Sequence, residues 1–270
     1  MRNIGKFMAI IIKSKEQIEK MRVVGKLAAE VLEMIEPHVQ PGITTNQIND
    51  ICHNYIINTQ GAIPAPLNYN GFPKSICTSI NHVVCHGIPS EKKLKAGDII
   101  NIDVTVIKDG FHGDTSKMFI VGGKTSIIAK RLVDITYECM CESIRQVAPN
   151  KSLLDLAQPI QKIAHSHHFS VVEAFCGHGI GEGFHEEPQI LHYISKNKHE
   201  NINQNTILKP GMTFTIEPMI NIGKKDIKVN RKDGWTATTR DRSLSAQWEH
   251  TILVTETGYE VLTLRDSEII

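Results

Sequence analysis

The first hydrophobic pattern along the chain has the periodicity of an amphipathic helix. From Ser14 to Pro37, apolar residues recur at every third or fourth position, and the positions between them are mostly polar or charged. This spacing predicts a helix with one buried stripe. Ser14 and Gln17 have the form of a capping box at its start. Residues 1–13 precede this helix, and we expect them to form a short N-terminal tail.

Helical patterns of this kind occur in two pairs. In the first pair, the second helix begins with another capping box, formed by Thr44 and Gln47. The second pair comprises a helical pattern over residues 126–147 and a helix that begins with Ser152 and Asp155. Apolar runs typical of β-strands follow each pair. The order of two helices followed by strands therefore occurs twice.

One phrase in these strands also occurs twice. LKAGDIINID, residues 94–103, aligns with LKPGMTFTIE, residues 208–217, with Leu-Lys, glycine, isoleucine and a final carboxylate in the same places. Upstream of each phrase, a histidine stands three residues before a proline, at His86 and at His185. A repeat of this length is too long for a solenoid. It indicates two related halves of one domain, and the alternative is a chance similarity of two β-turn-β phrases.

The repeat leads to a prediction of the fold class. We expect one α/β domain of the α+β type over residues 14–270, in which an antiparallel sheet is backed by helices. A pseudo-twofold axis would relate its halves, about 14–125 and 126–270. A chain of 270 residues is long enough to bury a large core of this kind.

Acidic residues occur inside the strand patterns, where a carboxylate is costly to bury without a cationic partner. Asp109 and Gly110 lie between two alternating runs and predict a two-residue hairpin turn. In that register Thr105 lies opposite Asp114. Asp103 and Asp114 are then diagonal neighbours on one face, roughly 7 to 8 Å apart at the backbone. Two carboxylates in these positions repel each other unless a cation lies between them.

The second half contains a matching pair of acids, Glu217 in TFTIE and Glu249 in AQWEHTILV. In a pseudo-symmetric domain the four carboxylates converge, and their charge predicts bound metal ions. His178, in CGHGIGEGFHEEP, is the expected fifth ligand. Oxygen-rich ligation with one imidazole favours Mn, Fe(II), Co or catalytic Zn, and bridging carboxylates favour a two-metal centre. For any one of these acids taken alone, a solvated strand end is the ordinary alternative.

Two other motifs near these residues invite interpretation. GHGIGEG resembles a phosphate-binding loop, but no helical pattern opens within it, so its glycines are better explained by close backbone approach to a pocket. His165, His167 and His168 fall at a predicted helix end. We interpret that cluster as a solvated terminus.

Composition narrows the range of partners. Lys plus Arg is 30 and Asp plus Glu is 29, which argues against nucleic acid or an anionic membrane as the main partner. The six cysteines include no CxxC pair, so we expect a reduced, cytoplasmic protein. No apolar stretch reaches the 18 residues that predict a membrane span. The apolar run near the N-terminus is too short for a signal peptide, and Met8 is an alternative start to Met1.

Four stretches together resemble the type I methionine aminopeptidases, a pita-bread metalloprotease family: NIDVTVIKDGFHGDTS, CGHGIGEGFHEEP, TFTIEPM and SLSAQWEHT. The resemblance implies the pita-bread fold and metal-dependent removal of the initiator methionine from nascent proteins when the next residue is small. It also implies two divalent metal ions. Asp103 would bind one of them, Asp114 and Glu249 would bridge both, and His178 and Glu217 would complete the set.

The same resemblance assigns roles in catalysis and binding. A bridging water or hydroxide would attack the first peptide carbonyl, with Glu217 accepting the proton. His185 would stabilise the tetrahedral intermediate, and His86 would contact the scissile amide. The pocket for the methionine side chain maps onto Tyr69, Phe72, Cys77, Phe184 and Trp235. A monovalent-cation site maps, more weakly, onto Asn81, Val83 and Ser245.

The chain departs from the family pattern in places. Pro66 stands where bacterial relatives often have Cys, and Phe72 stands where Tyr is common, so both bear on the shape of the pocket. The polar segment 196–205 is longer than usual, and we expect it to form a surface loop.

The resemblance further implies a monomer that acts on nascent polypeptide N-termini at the ribosome, without nucleic acid or membrane as partner. Two alternatives stay open from sequence. One is a metal-free pita-bread protein that only binds peptide, ribosome or nucleic acid, although such a protein should have lost ligands. The other is an aminopeptidase or dipeptidase with a different first-residue specificity.

Overall fold

The computed structural model describes residues 9–197, 200 and 203–270. The four predicted helices are present, as α1 (Lys15–Ile35), α2 (Thr45–Asn54), α3 (Ile127–Ile144) and α4 (Leu153–Ser166). The predicted capping boxes form at the starts of α1, α2 and α4. Helix α3 ends at Ile144, slightly before the predicted end at residue 147, because the chain there continues as a turn.

The strands of the described part of the chain pair only in antiparallel fashion. In chain order they are β1 (Ile63–Pro64), β2 (Cys77–Ile80), β3 (Val83–Cys85), β4 (Ile99–Lys108), β5 (Phe111–Ile120), β6 (Ser170–Val171), β7 (Gly177–Gly179), β8 (Glu186–Ile190), β9 (Thr213–Ile216), β10 (Met219–Asn221), β11 (Ile227–Val229), β12 (Ala237–Thr239), β13 (Ser245–Gln247), β14 (His250–Val254) and β15 (Tyr259–Val261). Strands β1, β4, β2 and β5 form one main sheet, and β15, β14, β9, β7 and β8 form the other. The predicted mixed fold with antiparallel sheet and helices is confirmed.

The hairpin between β4 and β5 has the predicted register. Asp103 pairs with Ser116, and Thr105 pairs with Asp114. The turn residues Asp109 and Gly110 have φ angles of 50° and 81°. Positive φ at both central positions matches the right-handed twist of the flanking strands, which is why the Asp-Gly sequence identifies this turn.

The two halves repeat each other at the hydrogen bonds that lead into β4 and β9. The Gly97 N–H donates to Val121 O at 2.9 Å, and the Gly211 N–H donates to Val254 O at 2.9 Å. Both glycines have positive φ, 91° and 87°. The repeated LKxG phrase therefore forms the same turn twice, and this turn fixes where each central strand begins.

Each half has its own apolar core. Side chains of α1 and α2 pack on β4 and β5, as Leu32 and Val104 illustrate. Side chains of α3 and α4 pack on β9 and β14, as Met140 and Phe214 illustrate. The halves join where Ser116 of β5 forms an antiparallel bridge with Glu249, just before β14. This junction brings together the acidic residues of two strand pairs, β4 with β5 and β9 with β14.

The predicted tail is ordered against the domain at its last residue. Lys13 is 5% exposed, and its N–H donates to Gly211 O at 2.8 Å. Residues 1–8, including Met1 and Met8, lie outside the described residues, as do 198, 199, 201 and 202 of the predicted surface loop. None of the helices in the described part of the chain is long and apolar enough to cross a membrane. All six cysteines are free, and five of them are buried.

Candidate metal centre

A single cavity collects the predicted metal ligands, the two predicted catalytic histidines and the predicted methionine pocket. Its walls comprise Pro66, Tyr69, Phe72, Cys77, His86, Asp103, Thr105, Asp114, Ala174, Phe175, Cys176, His178, Phe184, His185, Glu217, Met219, Trp235, Gln247 and Glu249. Residues from both pseudo-symmetric halves contribute. The glycine-rich stretch forms β7 and a loop at this cavity and opens no helix, as expected from sequence.

The five predicted ligands come from separate strands. Asp103 and Asp114 lie on β4 and β5, Glu217 directly follows β9, Glu249 directly precedes β14, and His178 is the middle residue of β7. The His178 Nε2 atom lies 3.7 Å from Asp114 Oδ2 and 3.6 Å from Glu217 Oε1. One ligand atom each from Asp114, His178 and Glu249 falls within 4.8 Å of the other two. That spacing allows three donors to share one ion.

Electrostatics explain why these groups need a cation. Burial raises the pKa of Asp103 to about 7 and that of Glu217 to about 8. For Asp114 and Glu249, burial and the neighbouring carboxylates both raise the pKa. Among the described residues, neither lysine nor arginine lines the cavity. Four carboxyl groups therefore cannot all ionise at neutral pH without added positive charge.

The donor set fits divalent metal ions. Burial lowers the pKa of His178 to about 3, so its imidazole is neutral at pH 7 and able to ligate. Its Nδ1 atom lies 3.0 Å from Gly179 O, which leaves Nε2 facing the acids. Carboxylate oxygens with one neutral imidazole suit Mn, Fe(II), Co or Zn.

Hydrogen bonds that the sequence did not reveal hold the carboxylates. The Thr105 hydroxyl donates to Asp114 Oδ1 at 2.8 Å, and the Thr215 hydroxyl donates to Glu217 Oε1 at 2.8 Å. The hairpin register already placed Thr105 opposite Asp114, so that contact could have been found from the pattern. The contact of Thr215 could also have been expected, because Thr215 stands two residues before Glu217 and residues two apart in extended chain point to the same side.

Two further supports of Glu217 come from distant parts of the chain. The Gln247 amide donates to Glu217 Oε2 at 3.2 Å, and the Glu217 N–H donates to His192 Nε2 at 3.2 Å. Burial lowers the pKa of His192 to about 3, so this ring is a neutral acceptor. No local sequence pattern predicts either contact, because both depend on how the second half folds back on itself.

The two predicted catalytic histidines both line the cavity. The Tyr69 hydroxyl lies 2.9 Å from His185 Nδ1, and the rings of His185 and His178 are 4.3 Å apart between centroids. Part of the His185 surface faces the cavity, yet desolvation lowers its pKa to about 4. Burial also lowers the pKa of His86 to about 4. Both rings are therefore neutral at pH 7.

Aromatic rings form the apolar part of the cavity. The rings of Phe72 and Trp235 meet edge to face at 5.2 Å, and those of Tyr69 and Phe184 are 4.9 Å apart. Burial raises the pKa of the Cys77 thiol well above its ordinary value, so it stays protonated. Four further residues of this apolar lining were not predicted from the sequence: Ala174, Phe175, Cys176 and Met219.

The residues assigned to a monovalent cation lie elsewhere. The Ser245 N–H donates to Asn81 O at 2.9 Å, and Val83 follows two residues after Asn81 in β3. None of the three lines the cavity. The Ser245 hydroxyl is buried and makes no hydrogen bond within the described part of the chain.

Comparisons with known proteins agree with this geometry. A profile of metallopeptidase family M24 matches residues 19–256. The methionine aminopeptidase of Escherichia coli (strain K12) is 61% identical over 264 residues, covering 97% of each chain. The methionine aminopeptidase of Buchnera aphidicola is 58% identical over 262 residues, covering 97% of this chain and 96% of that one.

Solved structures show the same relationship. The crystal structure of methionine aminopeptidase from Rickettsia prowazekii superposes with a TM-score of 0.90 at 55% identity, covering 95% of this chain and 100% of that one. Prolidase from Pyrococcus furiosus has a TM-score of 0.73 at 22% identity, covering 95% of this chain and 66% of that one, and it shares the fold. The match of the family profile and the high identity over nearly the whole length show that the chain belongs to metallopeptidase family M24.

Proposed function

We propose that this protein is a methionine aminopeptidase, a hydrolase that removes the N-terminal methionine from nascent proteins, preferentially when the second residue is small. The observation that carries the proposal is that the four acids and His178 line the same cavity as a group of aromatic rings. An exopeptidase that removes methionine needs a centre that activates the peptide carbonyl and a pocket that binds the thioether side chain. The relatives named methionine aminopeptidase support the same activity.

We propose that the four acids and His178 are the metal ligands. Two divalent ions would be held by Asp103, Asp114, His178, Glu217 and Glu249, with Asp114 and Glu249 shared between them. When bound, such ions polarise the scissile carbonyl and make a water acidic enough to act as a nucleophile at neutral pH. The support for this assignment is the raised pKa of each carboxyl group, which added positive charge would reverse.

Glu217 is the proposed proton acceptor of the hydrolysis. Its two carboxylate oxygens accept hydrogen bonds from Thr215 and Gln247, so the side chain has a defined orientation. A general base must lie within hydrogen-bond reach of the proton that it takes. The two hydrogen bonds limit the orientations that the carboxylate can take before a substrate binds.

His185 and His86 are proposed to act on the reacting amide. The Tyr69 hydroxyl faces His185 Nδ1, and if it donates there, the proton of the neutral ring lies on Nε2. That N–H can donate to the carbonyl oxygen as negative charge develops on it. His86, which also lines the cavity, is proposed to contact the nitrogen of the same amide.

The side chain of the first residue is proposed to enter the aromatic part of the cavity, formed by Tyr69, Phe72, Cys77, Phe184 and Trp235. A thioether makes favourable contacts with ring edges and tolerates an irregular pocket. The edge-to-face pair of Phe72 and Trp235 supplies such edges. Pro66, which also lines this region, replaces a polarisable sulfur by a rigid ring, and this shapes the pocket without altering the metal centre.

Further assignments complete the proposal. Asn81, Val83 and Ser245 bind a monovalent cation through oxygen atoms, and the buried Ser245 hydroxyl without a partner supports this. The protein works as a monomer on nascent chains at the ribosome, in the cytoplasm. The free cysteines are consistent with a reducing compartment.

The test is methionine release from Met-Ala-Ser by metal-stripped protein, titrated with Mn(II), Co(II), Fe(II) and Zn(II). We expect release only with metal, and release at the metal-free level for Asp103→Ala under every condition. Asp134→Ala is the matched control, because Asp134 lies on the exposed face of α3 and pairs with Lys130. It should behave as wild type.

Two outcomes would contradict the proposal. Folded protein that releases no methionine with any metal would favour the metal-free binding protein. Faster cleavage of X-Pro dipeptides than of Met-Gly-Met would favour a dipeptidase with a different first-residue specificity.

A further inference from the structure

A buried ion pair joins the segment before α1 to the edge of the cavity. Lys13 Nζ lies 2.5 Å from Glu186 Oε2, and the side chains are only 2% and 7% exposed. Removal of one partner from such a pair leaves a buried charge without compensation, which is strongly unfavourable. The pair therefore holds its two chain segments together, although they are far apart in sequence.

Both partners of the pair are themselves held in place. The Lys13 N–H donates to Gly211 O, at the turn that leads into β9. The second carboxylate oxygen of Glu186, Oε1, accepts from the Gly183 N–H at 2.9 Å. The stem of Lys13 also packs tightly on the backbone of Gly181, where an added Cβ would lie 2.5 Å from Lys13 Cε.

The loop that this pair holds carries two residues of the proposed active site. Residues 180–185, here called the pocket loop, connect β7 to β8 and contain Phe184 and His185. Their rings stack at 4.3 Å between centroids. The Gly181 carbonyl accepts from the His112 N–H at 2.8 Å, so the loop is anchored to β5 near its start. Glu186 anchors its end.

We propose that Lys13 is a positioning residue, which acts through Glu186 to hold the pocket loop so that His185 and Phe184 face the substrate. The proposal rests on the proposed function, because it assigns the loop a part in that reaction. It gives the segment before α1 a role in catalysis although Lys13 does not line the cavity. The pocket loop contains two glycines, Gly181 and Gly183, and has little stiffness of its own.

The first test compares Lys13→Met with wild type. Methionine has a similar stem but no charge, so Gly181 stays covered while Glu186 loses its partner. We expect kcat/KM for Met-Ala-Ser to fall roughly 10- to 100-fold, mainly through kcat, because His185 no longer meets the carbonyl oxygen. Metal affinity measured by calorimetry with Mn(II) should stay at the wild-type value, since Lys13 touches none of the proposed ligands.

Two further variants separate positioning from general stability. In Lys13→Met/Glu186→Gln no unpaired charge remains, so its melting temperature should recover towards wild type while kcat stays low. Lys20→Met is the matched control, because Lys20 is a half-exposed lysine of α1 whose contacts are with the exposed Glu16 and the ring of Phe111. It should keep both kcat and melting temperature.

Hydrogen–deuterium exchange of the pocket loop gives a readout that does not depend on activity. We expect faster exchange of residues 181–185 in Lys13→Met than in wild type or Lys20→Met. Unchanged exchange would overturn the proposal, and so would faster exchange with kcat/KM within about twofold of wild type. If wild type released no methionine, the proposed function would fail, and exchange would still decide whether Lys13 holds the loop.

Discussion

Single hydroxyl groups in the site connect side chains from different strands. Thr215 Oγ1 donates to Glu217 Oε1 at 2.8 Å and accepts from the His178 N–H at 3.0 Å. The same atom therefore sets the orientation of one proposed ligand and the backbone position of another. Groups that orient metal ligands in this way commonly influence metal affinity about 10- to 100-fold.

We predict that Thr215→Val weakens metal binding. Valine has nearly the same shape, so β9 should keep its packing while Glu217 and the His178 N–H each lose a partner. The dissociation constant for Mn(II), measured by calorimetry, should rise about tenfold. Thr78→Val is the control, because Thr78 is buried in β2 and its hydroxyl makes no hydrogen bond within the described residues. Equal affinities in the two variants would contradict the role of Thr215.

At the scale of elements, the two LKxG turns decide where β4 and β9 begin. Gly97 and Gly211 have the same backbone conformation, with positive φ. Their surroundings differ, however. A Cβ added to Gly97 would have Lys124 O as its nearest neighbour at 3.8 Å, whereas one added to Gly211 would lie 2.8 Å from Ile12 Cγ2 and 3.0 Å from Lys13 O.

We predict that alanine is tolerated better in the first turn than in the second. Gly97→Ala should cost about 1 kcal/mol of unfolding free energy, the ordinary cost of a side chain at positive φ. Gly211→Ala should cost about 2 kcal/mol or more, since it also displaces the segment that contains Lys13. Urea denaturation of the two variants measures both values. A larger loss for Gly97→Ala than for Gly211→Ala would contradict this prediction.

At the scale of the whole molecule, the C-terminal segment connects the two halves close to the site. Arg265 is fully buried and donates to Thr115 Oγ1 at 2.9 Å and to Glu268 Oε1 at 2.7 Å. The Thr115 hydroxyl in turn donates to Glu249 O at 2.7 Å. A chain of contacts therefore runs from the C-terminal segment through β5 to a proposed metal ligand.

We predict that Glu268→Gln lowers the unfolding free energy by about 3 kcal/mol at neutral pH, because it leaves the buried Arg265 charge without its partner. Burial alone would raise the pKa of Glu268, but His250 and Arg265 outweigh it and lower the pKa from 4.5 to about 2. Because the pKa of Glu268 is lower in the folded protein than in the unfolded chain, ionised Glu268 stabilises the fold at pH values above its unfolded-state pKa. The contribution is lost as the pH falls from 4.5 towards 2.

Urea denaturation at pH 7, 5, 4 and 3 measures this effect. The difference between wild type and Glu268→Gln should be constant down to about pH 5 and then shrink. Glu256→Gln is the control, because Glu256 is exposed between β14 and β15. A difference that grows as the pH falls would contradict the assigned direction.

The sequence by itself determined the parts of this protein that depend on neighbours along the chain. Capping at Ser14, Thr44 and Ser152 depends on residues three positions apart, and the Asp109-Gly110 turn sets the register that places Asp103 near Asp114. The repeated phrase predicted that the two halves would correspond. From these local rules the acidic residues could be expected to converge.

Only the tertiary structure decided which distant groups serve the site. His192 and Gln247 support Glu217, Lys13 holds the pocket loop through Glu186, and Arg265 is connected to Glu249 through Thr115. Each of these contacts joins segments that are far apart in the sequence, and no helical or strand repeat relates their positions. Hydrogen bonds and buried charges act over a few ångströms, so they depend on the packing of the two halves and not on any pattern within one strand or helix.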